Sequence, residues 1–120
     1  MKTIRVTADS KISVVDVDFD NIQSIQRILG GYVEVVHNWR LSRLLGEGIV
    51  MLVDEEGLLK KLPSNPVGSF FYEGLIVGDF LLAQIVGEDW TAPSQIEELK
   101  NRLLSIFQLH EEADHESVSL

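Results

Sequence analysis

Cysteine is absent from the 120 residues. That one gap removes disulfides, thiolate metal sites and cysteine nucleophiles, and it suits a reducing compartment. Apolar runs long enough to cross a bilayer are missing as well, since a helical span needs about 20 consecutive apolar residues. The opening MKTIRVTADS has neither the apolar core nor the small-residue cleavage site of a secretory signal. Cytoplasmic residence is therefore expected, with no membrane partner. Basic residues are scarce: 10 Lys and Arg face 19 Asp and Glu, for a net charge of −9. A field of that sign repels phosphate and argues against general nucleic-acid binding. Arg40, Arg43, Lys60 and Lys61 fall within one stretch, but Glu47, Asp54, Glu55 and Glu56 are interleaved with them. No G-x-G-x-x-G, P-loop or G-x-S-x-G appears, so the familiar nucleotide folds and the nucleophile elbow are excluded. His37, His110 and His115 show no ligand spacing, so no zinc site is expected. No catalytic residue, metal or cofactor is assigned.

What is present reads as one α+β domain over 1–110, followed by an acidic tail, EEADHESVSL, expected to be disordered over 111–120. TIRVTA and KISVVDVDF alternate apolar and polar side chains around Asp9 and Ser10, the pattern of an N-terminal β-hairpin. In NIQSIQRIL the apolar residues recur at helical spacing. Asp20 with Gln23 is a variant capping box, and Gly30 and Gly31 end the helix. YVEVVHNW has the period of a half-buried strand, and RLSRLLGEG is a connection with room for one helical turn. GIVMLVD is apolar on both faces and reads as a central strand, with DEEG as its turn. Pro63 and Pro66 bracket a loop. FFYEGLIVGDFLLAQIVG is predicted as one long strand bulged at Gly78, and Thr91, Pro93, Ser94 and Glu97 start a final amphipathic helix. The expected architecture is a mainly antiparallel sheet with two helices packed on one face.

Several clusters carry chemistry. His37, Asn38, Trp39 and Arg40 offer an indole, a guanidinium and an amide for stacking on and reading a base; the structural alternative is a strand end whose Trp39 covers the rim of the sheet. Arg43 and Asn65 extend that ligand-binding set, as does Glu34. Glu34, Glu55 and Glu56 form a candidate carboxylate cluster for a hard cation or acid–base work, against the ordinary fate of a solvated strand face and turn. Asp79, between IVG and FLL, is the carboxylate expected to be partly buried, pairing with backbone amides at the Gly78 bulge. Ser42 lies near His37 in sequence only. In GSFFYEG, strand alternation leaves part of the aromatic run exposed, which gives Phe71 and Tyr72 as a candidate interaction patch; core packing is the competing role for Phe70 or Phe71.

The succession LGGYVEVV, VDEEGLLKKLPSNP and LIVGDFLLAQ resembles the domain-of-unknown-function 3846 family, small proteins of phages, other mobile elements and their bacterial hosts. Gly30, Gly31, Tyr32 and Glu34 match the family's GGYIE piece, Glu55, Glu56 and Gly57 its NEEG piece, and Leu62, Pro63 and Asn65 its LPxN piece. Asp54 stands where the family commonly has Asn. The resemblance implies an accessory role in a mobile-element setting and brings no catalytic residues with it.

Three readings follow from different classes. The first is a non-enzymatic module that binds a host protein through an aromatic and acidic surface, in counter-defence or as a DNA mimic. The second is a binder of a small nucleotide-like ligand through Trp39, Arg40, Arg43 and Asn65. The third is a carboxylate- or metal-dependent enzyme built on Glu34, Glu55, Glu56 or Asp79. A protein binder needs a contiguous surface and no deep pocket, a ligand binder needs arginine and an aromatic converging in one pocket, and an enzyme needs two carboxylates in reach of one metal or water. Homo-oligomerisation is compatible with each.

Overall fold

The structure, a computed structural model, describes residues 1–107 and the backbone of 110–111. Among these, seven strands and four helices occur in the order β1 (Lys2–Val6), β2 (Lys11–Asp16), α1 (Ile22–Leu29), β3 (Val33–Val36), α2 (Trp39–Leu45), β4 (Ile49–Asp54), α3 (Pro66–Tyr72), β5 (Phe80–Val86), β6 (Asp89–Thr91), α4 (Ile96–Phe107) and β7 (His110–Glu111). The sheet order is β3-β4-β5-β1-β2-β7, with β6 added to β5. Every pairing is antiparallel except β2 with β7. The α+β class and the sheet-dominated architecture follow the sequence expectation. The expected tail, 111–120, lies outside the described residues apart from Glu111, whose backbone pairs with Ile12.

The helices depart from that expectation in number and in placement. β4 is buried along its whole length, and its two faces join different cores. Ile49, Met51 and Val53 pack with Leu41 and Leu45 of α2, Val67 and Phe71 of α3, and Leu99 and Leu103 of α4. Val50 and Leu52 pack with Ile25 and Leu29 of α1. A strand that is apolar on both faces requires cover on both, so helices lie on both sides of the sheet rather than on one.

Local chemistry explains the rest. Asn21, one residue after Asp20, is the actual cap of α1: its side chain accepts from the Gln23 N–H at 3.0 Å. Asn38 caps α2 in the same way, so the segment after β3 is a strand-to-helix junction with two helical turns, neither a strand end nor a bare connection. The stretch FFYEGLIVGDFLLAQIVG is two elements. Asn65 and Pro66 start α3, Glu73 ends it in the left-handed region at φ 64°, and β5 begins only at Phe80. Gly68 inside α3 lets the following loop lie against the helix, because a Cβ there would stand 2.8 Å from the Ile76 Cγ2. Gly78 is a turn glycine at φ 78°, leading into β5, and no bulge.

Candidate functional site

The C-terminal end of α3 and the N-terminal end of α2 meet at one surface. The Asn38 side-chain amide accepts from the Arg40 N–H at 2.9 Å and donates to the Tyr72 carbonyl at 3.1 Å. It therefore caps one helix and holds the end of the other. The Arg40 Nη1 donates to the Phe70 carbonyl at 2.8 Å, and its Nε lies 2.8 Å from Glu73 Oε2. The guanidinium carbon stands 4.6 Å from the Phe70 ring centroid and 5.6 Å from that of Trp39. Phe70, Phe71 and Phe107 pack edge to face beneath, with centroids 5.2 to 5.6 Å apart. Over this anchored base Trp39 is 59% exposed and Tyr72 43% exposed.

The surface continues into a cleft of about 220 Å³ between the β3–β4 end of the sheet and the loop after α3. Tyr72, Leu75 and Leu58 stand along it with Glu34 and Glu55, over a floor that includes Val36, Val53 and Ile76. Leu58 and Leu75 are 66% and 58% exposed. One wall is held by an ion pair: the buried Asp54 carboxylate lies 2.7 Å from Lys60 Nζ and accepts from the Glu56 N–H, and Lys60 also donates to the Gly30 carbonyl. Gly31 admits this pair, since a Cβ there would come within 2.7 Å of both Asp54 Oδ1 and Lys60 Nζ. Gly31, Glu34, Asp54, Glu55 and Gly57, all within or beside the motif segments, are thus gathered around one end of the sheet.

The structure divides the residues singled out from the sequence. Trp39, Arg40 and Tyr72 come together, and Glu34 joins them through the cleft. Asn65 does not: it is fully buried, accepts from the Gly68 N–H at 3.1 Å and donates to the Gly78 and Val6 carbonyls. Its side chain is consumed by the fold and cannot read a ligand. Phe71 is likewise fully buried, so Phe70 and Tyr72 carry the exposed aromatic character of α3. Arg43 is exposed on the far turn of α2 and lines neither the cleft beside Tyr72 nor the depression beside Trp39. Glu34 and Glu55 share the cleft while Glu56 does not line it, and among the described residues no group of three or more His, Asp or Glu is placed to hold a metal ion. Asp79 binds Arg5, 2.6 Å from Nη2, and accepts from the Ala8 N–H, which ties the β1–β2 turn to the start of β5. This backbone amide belongs to the hairpin turn, not to Gly78. His37 and Ser42 border a shallow depression of about 370 Å³ beside Trp39, with no hydrogen bond between them.

Sequence reading missed Leu58, Leu75 and Glu73. A leucine pair inside the turn-rich DEEGLLKKLP was a visible signal, because a turn supplies no core for it. Leu75 and Glu73 were hidden by reading their segment as strand.

The domain-of-unknown-function model DUF3846 matches residues 1–104. No curated protein and no solved structure matches the chain.

Proposed function

Since this chain belongs to the DUF3846 family, which carries no assigned activity, we propose from its surface that it is a non-enzymatic protein-binding module. The family resemblance supports an accessory role in a phage or other mobile element, with a host protein as partner in the bacterial cytoplasm. The single observation that carries the reading is the set of exposed apolar side chains at this surface: Trp39 and Phe70 beside the Arg40 guanidinium, and Tyr72, Leu75 and Leu58 along the adjoining cleft. Aromatic residues and arginine are the types enriched at the energetic centres of protein interfaces, and helices fixed from below reduce the ordering cost of docking.

Nucleotide capture is the weaker reading because its donors are already engaged. Arg40 spends Nε and Nη1 on Glu73 and Phe70, Asn65 is sealed in the core, and Arg43 lies elsewhere. Carboxylate chemistry is weaker still: Asp54 is paired with Lys60, and Glu34 and Glu55 sit at an open cleft without a third ligand.

The test is affinity capture from host lysate by wild type, by Trp39→Ala with Tyr72→Ala, and by Lys11→Ala as a distant control. The reading expects a host protein held by wild type and the control and lost by the double variant. Equal capture by all three would overturn it.

A further inference from the structure

The edge of the sheet beside the cleft is open. β3 is the terminal strand on its side, paired only with β4. The Glu55 N–H donates to the Tyr32 carbonyl at 2.8 Å, and the register pairs Glu34 with Val53 and Val36 with Met51. In an antiparallel ladder hydrogen-bonded pairs alternate, so Tyr32, Glu34 and Val36 bond to β4, whereas the N–H and C=O groups of Val33 and Val35 point away from the sheet. Among the described residues no further hydrogen bond takes up those four groups.

We infer that β3 accepts an extended segment of the partner protein as an added antiparallel strand, with a Lys or Arg opposite Glu34 and apolar or β-branched residues on either side of it. This rests on the protein-binding reading and specifies its mode. Side chains flanking the basic residue would meet Val33 and Val35, which are only partly buried against α1. The residue opposite Glu34 would point to the cleft side, where Glu34 and Glu55 are exposed carboxylates without an ion-pair partner among the described residues. Its aliphatic stem would lie toward Tyr72 and Leu75. The net charge of −9 favours approach of a basic segment over longer range.

The same geometry disfavours a second copy as the occupant. Self-pairing that satisfies all four free groups with strand residues alone sets Val33 against Val35 of the copy, and so Glu34 directly against its own equivalent. Like charges directly opposite on a sheet are destabilising.

The test is selection of a random heptapeptide display library on the full-length protein, followed by binding measurements on the enriched peptides. Val35→Pro deletes a free edge N–H without touching the β4 ladder, and Glu34→Lys reverses the charge that reads the peptide. Expected are peptides with a central Lys or Arg between β-branched residues, bound at least ~10-fold more weakly by Glu34→Lys, which turns a charge-assisted contact into repulsion, and about 5-fold more weakly by Val35→Pro, which removes one neutral backbone hydrogen bond. Glu34→Lys should in addition select peptides with a central acid. Failure to enrich such peptides, or binding unchanged by both variants, would overturn strand addition. If binding then fell on Trp39→Ala with Tyr72→Ala, the protein-binding reading would stand and only this mode would fall. A concentration-dependent dimer that Val35→Pro dissolves would assign the edge to a second copy and would also overturn it.

Discussion

Arg40 and Glu73 join the start of α2 to the end of α3, with 2.8 Å between Nε and Oε2. The pair is about one-third exposed, 30% and 37%, so its Coulomb term alone is modest, roughly 0.2–1 kcal/mol. Arg40 does more than pair, because it also bonds the Phe70 carbonyl and lies over the Phe70 ring. Arg40→Ala is expected to destabilise by about 1–2 kcal/mol and Glu73→Ala by less than about 1 kcal/mol. Urea denaturation of the two variants and of the double variant measures the difference and the coupling. Arg40→Lys should behave like the alanine variant, since an ammonium cannot reproduce the fork.

Asn65 is expected to be far more costly to replace than its polar side chain suggests. Asn65→Ala removes a helix cap and leaves the Gly78 carbonyl without a donor in a fully buried site, a loss of roughly 2–4 kcal/mol. Chemical denaturation gives the size. If the variant were as stable as wild type, Asn65 would not be the strut described here.

The two aromatic classes should separate by measurement. Phe71→Ala opens the core and is expected to cost about 3–5 kcal/mol. Trp39→Ala trims an exposed side chain and should stay within about 1 kcal/mol of wild type. A Trp39 variant that unfolds would mean that the indole is scaffold, and the proposed interface would lose its centre.

Much of this was legible in the sequence, and the failures have physical causes. The hairpin, the capped helix before Gly30 and the β4 strand followed from period and capping chemistry. Reading β4 as apolar on both faces already implied helices on both sides, a consequence that the one-face architecture ignored. α3 is hard to see in the sequence because Phe70, Phe71 and Tyr72 favour strands in general, while the helix-start signal of Asn65 before Pro66 sits in a Pro-bracketed stretch that reads equally as loop. That one misreading moved the aromatic surface: with helical spacing Phe71 turns inward and Tyr72 outward. The junction at Asn38 shows the same limit, since its meeting with Tyr72 joins residues 34 positions apart.

Gly68→Ala is expected to destabilise although alanine favours helices. The added methyl would stand 2.8 Å from Ile76 Cγ2, and overpacking of this kind costs typically 1–3 kcal/mol. Thermal unfolding of the variant decides the sign.

Acid sensitivity should include a contribution from the N-terminal hairpin. The Met1 ammonium donates to Asp16 Oδ1 at 3.0 Å and holds that carboxyl below its usual 3.8. The Thr7 hydroxyl, which donates to Asp9, does the same there. Depressed carboxyls contribute stability that is present above their unfolded value and lost as the pH falls through the lower folded values. Both are exposed, so the effect is small. Urea midpoints followed downward from about pH 5 should fall less steeply for Asp16→Asn than for wild type below about pH 4.

The central claim is that the α2–α3 face and its cleft bind a protein. Native mass spectrometry of the protein drawn gently from the cells that make it, and again after denaturation and refolding, tests this most directly. The account predicts a complex with a second polypeptide in the native sample, absent for Trp39→Ala with Tyr72→Ala. A small bound molecule in place of a polypeptide, lost on refolding and retained by that double variant, would contradict it.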